Sequence, residues 1–598
     1  MSQETKHCQN CQKDFVIEPE DFDFYKKMKV PPPTFCPECR SQRRMTWRNE
    51  RTLYKRKCAL TSKNVITCFS PASGIKIYDR DVWWSDQWDP FVYERNYDFN
   101  KNFFQQFREL LQSVPMPSLF NSRCVNSDYG NHNGELKNTY LVFATWAGED
   151  IMYAKHAHNC KDSLDILASQ DSNFCYEAVN SSKLSRCFFT ENSENCLDCS
   201  FIYNCRSCNN CFGCYNLRNK SYHIFNQSYS KEEYLKKLQE IDLASFNNLA
   251  TAKQKFNEFK LGALRKFARI YSSQNATGDN LVNVANCQTC FDVNNDAKDL
   301  KYCINAANHI YESYDCYGVG VNSDLLYEAV DVGADGSRLS FNIFVWGGRS
   351  VFYSYSCHNS QNLFGCIGLH NKQYCILNKQ YAKEEYEALI PKIIQRMNDQ
   401  PYIDQKGRTY RYGEFFPSEL SPFTYNESIA QEYFPLSAEA AAKAGFNWKQ
   451  PEPRNYQINI KSQDLPDNIK DVKDDILNQV IECQHQGKCN EQCTEAFKII
   501  EPELQFYRRM NMPLPRLCPN CRHYQRLKQR NPLKLWTRQC MCSGKTNQAP
   551  QGLPLGAYAN TAKHEHGEAV CPNTFQTSYA PDRPEIVYCE ACYLKEVV

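Results

Sequence analysis

Residues Asn210–Tyr234 read NCFGCYNLRNKSYHIFNQSYSKEEY, and residues Asn362–Tyr386 repeat them as NLFGCIGLHNKQYCILNKQYAKEEY. Further upstream, Cys175-Tyr-Glu-Ala-Val179 is matched by Leu326-Tyr-Glu-Ala-Val330. Two matches of this length, at offsets of 152 and 151 residues, mark an internal duplication. The middle of the chain is therefore predicted to contain two copies of one structural unit.

The duplicated core is predicted to span residues 124–270 and 271–398, and it shows no helical periodicity over most of its length. Short runs rich in aromatic, aliphatic and Cys residues alternate with turn-like stretches of Asn, Ser, Asp and Gly, roughly every 20 residues. This pattern predicts a mainly β fold in which each copy is a parallel β-solenoid with a helical cap. The capping box at Ser230–Glu233 marks the start of the first cap. Two antiparallel β-sandwich domains are the alternative.

The N-terminal segment, residues 1–63, carries two Cys-x2-Cys knuckles with 24 residues between them. Four thiolates in tetrahedral geometry satisfy Zn²⁺, and a module of this size needs such an ion in order to fold. The site is predicted to be structural, because four protein ligands leave no position for a catalytic water. Its predicted ligands are Cys8, Cys11, Cys36 and Cys39.

The C-terminal segment, residues 483–598, repeats this module, and from Phe15 onward the two copies align at a constant offset of 482 residues. The predicted zinc ligands of this copy are Cys489, Cys493, Cys518 and Cys521. Additional cysteines predict a second C-terminal zinc site formed by Cys540, Cys571, Cys589 and Cys592. The choice of ligands in that second site stays open, because there are further candidates: Cys542, His564 and His566.

Each knuckle module continues into a run of arginines four residues apart, which would share one face of a helix. Like charges at this spacing repel by a few tenths of a kcal/mol per pair, and an anionic partner would relieve the repulsion. Lys and Arg outnumber Asp and Glu by 14 to 8 in residues 1–63, and by 12 to 4 in residues 483–545. Phosphates of RNA or DNA are the predicted partner, with a solvated face as the alternative. The arginines are Arg40, Arg44, Arg48, Arg522, Arg526 and Arg530.

The chain has 33 cysteines and a formal net charge of +2. It has no apolar leader and no apolar run of about 18 residues, so we expect a cytoplasmic protein without a membrane segment. Metal sites and buried thiols are therefore expected in place of disulfides. The cysteines between Cys196 and Cys214 align with small or apolar residues of the second copy, which favours interior packing, although a metal cluster is the open alternative.

Two segments connect these parts of the chain. Residues 64–123 are predicted to form an aromatic bridge that ends in a helix over Phe99–Leu111, because the apolar residues there follow helical spacing. Residues 399–482 are predicted to form an extended linker, since Pro, Tyr, Glu and Asn are frequent there.

The knuckles with their arginines, the repeated FGC motif and the C-terminal YAPDRPEIVYCEACY together cover most of the chain. In these features the sequence resembles a family of large uncharacterised zinc-finger proteins predicted from small-genome candidate-phylum bacteria. The knuckle modules also look similar to treble-clef or zinc-ribbon folds, which bind nucleic acid or protein. The resemblance implies structural zinc and supplies no catalytic residues.

These observations predict a non-enzymatic zinc protein with two or three structural zinc ions, which contacts nucleic acid through its basic modules. A protein–protein scaffold is the first alternative. An enzyme acting on polysaccharide is the second, because parallel β-helices often process such substrates. No catalytic residue and no small-molecule substrate is identified from the sequence.

Overall fold

The computed structural model of the protein describes residues 2–450, 456–546 and 559–597. Residues 547–558 of the predicted C-terminal module and residues 451–455 of the predicted linker lie outside the described residues. Among the described residues, no helix combines the length and the apolar character that crossing a membrane would require.

The chain forms two compact units, and each is assembled from segments that are far apart in sequence. The first unit comprises Met1–Phe120, Ala268–Gln450 and Leu533–Leu535, and the second comprises Asn121–Phe267, Pro451–Pro532 and Trp536–Val598. The N-terminal module therefore packs with the second copy of the core, and the C-terminal module packs with the first copy. The predicted segment boundaries stay predictions.

The core of the second unit is a sheet whose successive strands pair in parallel. Tyr176 pairs with Phe188, Phe188 with Ser200, and Ser200 with Phe212, so the chain returns to the same position every 12 residues. Six of the described strands close into a ring through further parallel pairings. The described strands of this unit are Tyr129–Asn131, Tyr140–Phe143, Glu149–Met152, Lys155–His158, Lys161–Leu164, Leu167–Gln170, Tyr176–Val179, Phe188–Glu191, Ser200–Tyr203, Asn209–Tyr215, Ser221–Ile224, Gln227–Ser228, Leu264–Lys266, Ile481–Glu482, Ala496–Phe497, Trp536–Gln539, Thr574–Thr577 and Ile586–Tyr588.

The core of the first unit is a second sheet with the same parallel pairing. Ile304 pairs with Tyr317 at an offset of 13 residues, whereas Gln361 pairs with Gln373 at an offset of 12. The described strands of this unit are Glu4–His7, Asp14–Ile17, Tyr54–Lys57, Asn64–Thr67, Ile77–Tyr78, Met116–Pro117, Ile270–Tyr271, Gln274–Lys301, Ile304–Ala307, Ile310–Gly320, Ser323–Val330, Ser337–Ile343, Arg349–Phe352, Gln361–Phe364, Gln373–Ile376, Lys379–Gln380, Tyr402–Ile403 and Thr409–Tyr410.

These pairings decide between the predicted β folds at a coarse level. The mainly β prediction is confirmed, and the antiparallel sandwich alternative does not fit core strands that run parallel. The expected turn spacing of roughly 20 residues is wrong, since the register repeats every 12 or 13 residues. Cysteine spacing already carried this signal, because Cys187, Cys199 and Cys211 are 12 residues apart. The finer prediction of a solenoid stays a prediction.

Left-handed backbone conformation explains why the core is rich in Asn and Asp. Along much of the core every third residue has positive φ, as at Asn138, Leu141, Ala144, Ala147 and Asp150. Asn and Asp adopt this conformation at lower cost than other residues with a side chain, because their short polar groups bond locally. The side-chain amide of Asn138 also donates to Asp150 one turn later, at 3.1 Å. Composition and corner geometry are thus linked.

Helices cover parts of both cores. The predicted capping box of Ser230 and Glu233 is present and begins the helix Lys231–Gln239. The helix predicted over Phe99–Leu111 begins at Phe103, where Asn102 caps it, and its apolar face is buried. The described α-helices are Pro19–Met28, Pro37–Met45, Arg80–Trp83, Phe103–Ser113, Lys231–Gln239, Phe246–Leu261, Lys383–Asp399, Ala430–Tyr433, Ala438–Ala444, Glu501–Met510, Pro519–Leu527 and Glu590–Val597.

Candidate metal centres

The four predicted ligands of the N-terminal module converge on one point. Two of them lie in the turn that joins strands Glu4–His7 and Asp14–Ile17, and the other two lie at the start of helix Pro37–Met45. Their sulfur atoms all lie within 4.8 Å of one another, and the Sγ atoms of Cys11 and Cys36 are 3.7 Å apart. The group consists of Cys8, Cys11, Cys36 and Cys39.

The corresponding C-terminal group differs from the predicted one by a single ligand. The structure brings Cys483, and not Cys489, together with the other three cysteines, all four being buried. Cys489 instead lies in a neighbouring set of potential ligands with His485, Glu491 and Cys521. The four-thiol group consists of Cys483, Cys493, Cys518 and Cys521.

A third group of four buried cysteines unites the ligands predicted for the second C-terminal site. Two of them flank the hairpin of strands Trp536–Gln539 and Thr574–Thr577, and the other two lie at the start of helix Glu590–Val597. The Sγ atom of Cys571 lies 3.7 Å from that of Cys592 and 3.9 Å from that of Cys589. The group consists of Cys540, Cys571, Cys589 and Cys592.

All three groups share one hydrogen bond. In each, the cysteine that precedes the helix donates its backbone N–H to the sulfur of the first cysteine, over 3.2 Å. A thiolate is stabilised by such a donor and by the partial positive charge of a helix N-terminus. The three groups are therefore versions of one hairpin-and-helix design. The donor–acceptor pairs are Cys36 with Cys8, Cys518 with Cys483, and Cys589 with Cys540.

The donor chemistry of these groups fits a metal ion. Sulfur atoms 3.7–3.9 Å apart are too distant for a disulfide of about 2.05 Å. They match the edge of a tetrahedron with metal–sulfur bonds of about 2.3 Å, which is about 3.8 Å. Hydrogen bonds from the thiols of Cys36 and Cys39 lower the pKa of Cys8, and hydrogen bonds with Cys36 and Cys8 raise the pKa of Cys39, so in the absence of an ion the thiolate form is favoured at Cys8. Each of the three four-cysteine groups could therefore hold a metal ion.

An incomplete version of the third group lies in the N-terminal module. Cys58 occupies the position of Cys540, and its sulfur accepts from the backbone N–H of Asp79 at 3.2 Å. The hydrogen bond is therefore kept, although Asp79 stands where the C-terminal copy has Cys589. Val82 replaces the fourth ligand, so this hairpin keeps the backbone design without the four donors.

The cysteines between Cys196 and Cys214 have a different environment. They are buried in an apolar interior cluster, and their thiols donate to backbone carbonyls, as from Cys199 to Leu197 at 3.2 Å. Among the described residues they belong to none of the groups whose donor atoms converge. This agrees with the interior packing that the sequence favoured over a metal cluster.

The predicted nucleic-acid contacts of the N-terminal module are buried inside its own unit. The side chains of Arg40, Arg44 and Arg48 are at most 5% exposed. Arg40 pairs with Asp315 at 2.8 Å, and Arg44 pairs with Glu328 at 2.7 Å. The anionic partner that relieves their repulsion is thus supplied by the second copy of the core. Their predicted role as phosphate contacts is corrected accordingly, because a phosphate could not reach these side chains in this structure.

A neighbouring arginine that the sequence reasoning did not single out completes this cluster. Arg43 pairs with Glu328 at 2.7 Å and with Glu414 at 2.8 Å. Burial lowers the pKa of Arg43, but the two carboxylates outweigh burial and hold the pKa above its usual value. Arg48, past the end of the helix, pairs with Glu50 and Asp331, each at 2.6 Å.

The C-terminal arginines are also paired within their own unit. Arg522 and Arg526 both contact the carboxylate of Asp165 at 2.7 Å. Arg522 pairs further with Glu503 at 3.2 Å. Arg530 is partly buried and donates to the side chain of Asn180 at 2.8 Å. The predicted phosphate contacts of Arg522 and Arg526 are corrected in the same way, whereas the role predicted for Arg530 stays a prediction.

No family model matches the chain, and no curated protein matches it. Among solved structures, the chain is similar to the crystal structure of a "putative acetyltransferase" from Desulfovibrio desulfuricans G20, with 10% identity over 46% of this chain and 86% of that chain. The TM-score is 0.11, so this likeness carries no argument about fold or function.

Proposed function

We propose that the protein is a non-enzymatic binding scaffold in which structural zinc ions hold two hairpin-and-helix modules against two β-solenoids. The observation that carries this proposal is that the helix after the second pair of cysteines in each module packs on the core with its arginines. Arginines of the helices Pro37–Met45 and Pro519–Leu527 are buried and pair with carboxylates of the core, as Arg40 pairs with Asp315 and Arg526 pairs with Asp165. Because the most basic face of each module is buried against the core of its own unit, the module is proposed to stabilise that core and not to bind phosphates with this face.

Zinc is the metal that these ligand sets favour. Soft thiolate ligands select zinc or iron–sulfur centres, and closed sets of four cysteines with a hairpin and a helix are typical of structural zinc. Zinc would contribute folding energy directly, because a small module has little apolar core of its own. The ligands would be the three four-cysteine groups described above, with Cys483 in the place predicted for Cys489.

The solenoid assignment rests on the register of the strands. A pairing offset that stays at 12 or 13 residues is the pattern expected when each coil of chain stacks on the one before it. Asn and Asp ladders at the corners, such as Asn126, Asn138 and Asp150, support the same stacking. Extended stacks of this kind present long surfaces, and protein partners are the first class proposed here.

Nucleic acid is kept as a second candidate partner because of one exposed basic hairpin. Lys55, Lys57 and Lys63 lie on or next to strands Tyr54–Lys57 and Asn64–Thr67, and all three are exposed. Phosphate contacts by lysines are salt-dependent and largely independent of sequence. These lysines, and not the buried arginines, would carry such binding.

An enzymatic function has less support. Asp315 and Glu328 are carboxylates that the fold brings to one cluster, but both are fully buried and paired with arginines. A general acid and base need to reach substrate. This cluster therefore does not serve the polysaccharide-enzyme alternative.

The zinc part of the proposal is tested by metal analysis of the full chain. Protein is purified under reducing conditions without added metal, and its zinc content is measured by elemental mass spectrometry after acid digestion. We expect at least three zinc ions per chain. Removal of zinc with a chelator is expected to make both modules susceptible to proteolysis. A folded, protease-resistant protein without zinc would refute the proposal.

The partner class is tested by a salt wash. If nucleic acid co-purifies and is released by high salt, the triple variant Lys55→Glu, Lys57→Glu, Lys63→Glu is expected to lose it while remaining folded. Protein that is free of nucleic acid at low salt, and that fails to bind added RNA or DNA, leaves the protein scaffold as the function.

A further inference from the structure

A second set of potential ligands adjoins the third four-cysteine group and shares one sulfur with it. The ligand atoms of this set lie within 4.8 Å of one another, and Cys592 belongs to both sets. The set consists of Cys542, His564, His566 and Cys592. Together the two sets use seven different residues, which are the seven candidates between which the sequence could not choose.

Both histidines are oriented as metal ligands are. The side chain of His564 is almost fully buried, and its Nε2 atom lies 2.8 Å from the equally buried carboxylate of Glu596. The Nδ1 atom of His566 lies 2.7 Å from the carbonyl oxygen of Ala569. A metal-bound histidine usually gives its other ring nitrogen to a carboxylate or a backbone carbonyl in this way. Each ring thus has one nitrogen held by the protein and one left for an ion.

The two sulfur ligands of this set are also positioned by neighbouring side chains. The Nε2 atom of His566 lies 3.3 Å from the sulfur of Cys592, the residue common to both sets. The sulfur of Cys542 is fully buried and accepts from the side-chain amide of Asn560 at 3.4 Å. The carbonyl of that amide accepts from the hydroxyl of Tyr588 at 2.7 Å, which fixes its orientation. This second layer of contacts indicates a built site and not a chance cluster.

The two copies of the module give an independent comparison. In the N-terminal copy, six residues, 58–63, separate the paired residues Lys57 and Asn64. In the C-terminal copy, 34 residues, 540–573, separate Gln539 and Thr574. The longer loop contributes both histidines, and Leu60 stands in the N-terminal copy where Cys542 stands here. The N-terminal copy, which lacks a complete counterpart of the third four-cysteine group, therefore also lacks this second set.

We propose that the C-terminal module holds two zinc ions bridged by the thiolate of Cys592, an inference that rests on the proposed structural zinc. One ion takes three further thiolates and the other takes one thiolate and two histidines, so each ion has four ligands. Seven ligands satisfy two tetrahedral ions when one thiolate is shared. If this region held a single Zn²⁺ ion, its five thiolates would leave excess negative charge in a buried place. The second cation compensates for that charge.

A neighbouring set at Cys521 is weaker. It includes Glu491, whose carboxylate already pairs with Lys528 and with His485. The test of the bridged pair compares variants by difference, so that any ion held at Cys521 is common to all of them.

The test measures zinc per full-length chain in matched variants. His566→Ala removes one nitrogen ligand, whereas His566→Cys keeps a donor atom at the same position. We expect His566→Ala to lose one zinc ion relative to the wild-type chain, and His566→Cys to keep it. The exposed His309, which pairs with Asp296, provides the control His309→Ala, which is expected to keep the wild-type content.

Cobalt substitution gives a second measurement. Absorption of the cobalt-loaded chain is expected to change in its ligand-field bands in His566→Ala, while the thiolate charge-transfer bands of the four-cysteine groups remain. Equal zinc content in His566→Ala and His566→Cys, whether both keep the ion or both lose it, would overturn the bridged pair. A wild-type chain without any zinc would instead overturn the proposed function.

Discussion

Arg40 and Asp315 form an ion pair 2.8 Å long in which both side chains are at most 1% exposed. The pair joins the helix after the second knuckle to a core strand of the same unit. A buried pair is weak evidence for net stabilisation, because desolvation offsets much of the attraction. The ion pair does specify which core strand the helix contacts. If the helix packed on another strand, Arg40 would be buried without a partner, which would be costly.

Removing one charge of this pair is expected to destabilise the first unit. In Asp315→Asn the guanidinium groups of Arg40 and Arg44 lose a buried partner, and we expect the free energy of unfolding to fall by about 3–5 kcal/mol. Glu312 lies on the same strand and pairs with Lys27 at the surface. Glu312→Gln is therefore the control, expected to cost less than about 1 kcal/mol. Denaturant titration of both variants measures the difference, and equal losses would contradict the assignment.

The core residues with positive φ predict a specific order of stability among variants at one position. Asn138 is exposed, has a φ of 54° and donates to Asp150. Asn138→Ala is expected to cost about 1–2 kcal/mol, because alanine pays the steric cost of this conformation and loses the hydrogen bond. Asn138→Gly is expected to cost less, since glycine adopts positive φ freely. Thermal or denaturant unfolding measures the order, and an alanine variant as stable as the glycine variant would be inconsistent with it.

Two largely buried histidines, His358 and His370, are expected to make the first unit sensitive to acid. Burial lowers the pKa of His370 to about 4 and also lowers the pKa of His358, and the ring of His370 stacks on Trp84 at 4.7 Å. The unfolded chain therefore binds more protons than the folded chain between about pH 6.5 and pH 4. Stability contributed by neutral His370 is fully present above about pH 6.5 and is lost as the pH falls toward 4.

The His370→Gln variant is expected to lose less stability on acidification than the wild-type chain. Between pH 7.5 and pH 5 the wild-type loss attributable to His370 is expected to be about 2 kcal/mol. Denaturant midpoints at the two pH values measure it. His309→Gln, at an exposed position, serves as the control, and a wild-type chain whose midpoint is the same at both pH values would refute this account.

Whether the sequence alone predicts a structural feature depends on how far apart along the chain the interacting residues are. The duplication is visible because Phe212 and Phe364 lie in matching 25-residue stretches, and the knuckles are visible because Cys36 and Cys39 are close in sequence. The ion pair of Arg40 with Asp315 joins residues 275 positions apart, and no local pattern encodes that partner. The sequence indicated that an anion was needed and could not say that the chain itself supplies it.

The ligand Cys483 escaped prediction for a related reason. In the N-terminal copy the first two ligands are Cys8 and Cys11, three positions apart, whereas Cys483 and Cys493 are ten positions apart. The longer loop places Cys489 nearer to the expected spacing and hides the true counterpart of Cys8. What identifies Cys483 is a tertiary feature, since its sulfur accepts from the backbone N–H of Cys518 as Cys8 accepts from Cys36.

Serine variants of Cys483 and Cys489 are expected to differ in zinc content. Cys483→Ser removes a buried sulfur of the four-thiol group, so we expect the variant to lose one zinc ion per chain and to become less stable. Cys489→Ser removes a partly exposed sulfur outside that group and is expected to keep the ion. Zinc analysis after dialysis against a weak chelator distinguishes the two variants. If Cys489→Ser loses the ion and Cys483→Ser keeps it, the spacing rule of the N-terminal copy holds after all, and the loop must rearrange to bring Cys489 onto the metal.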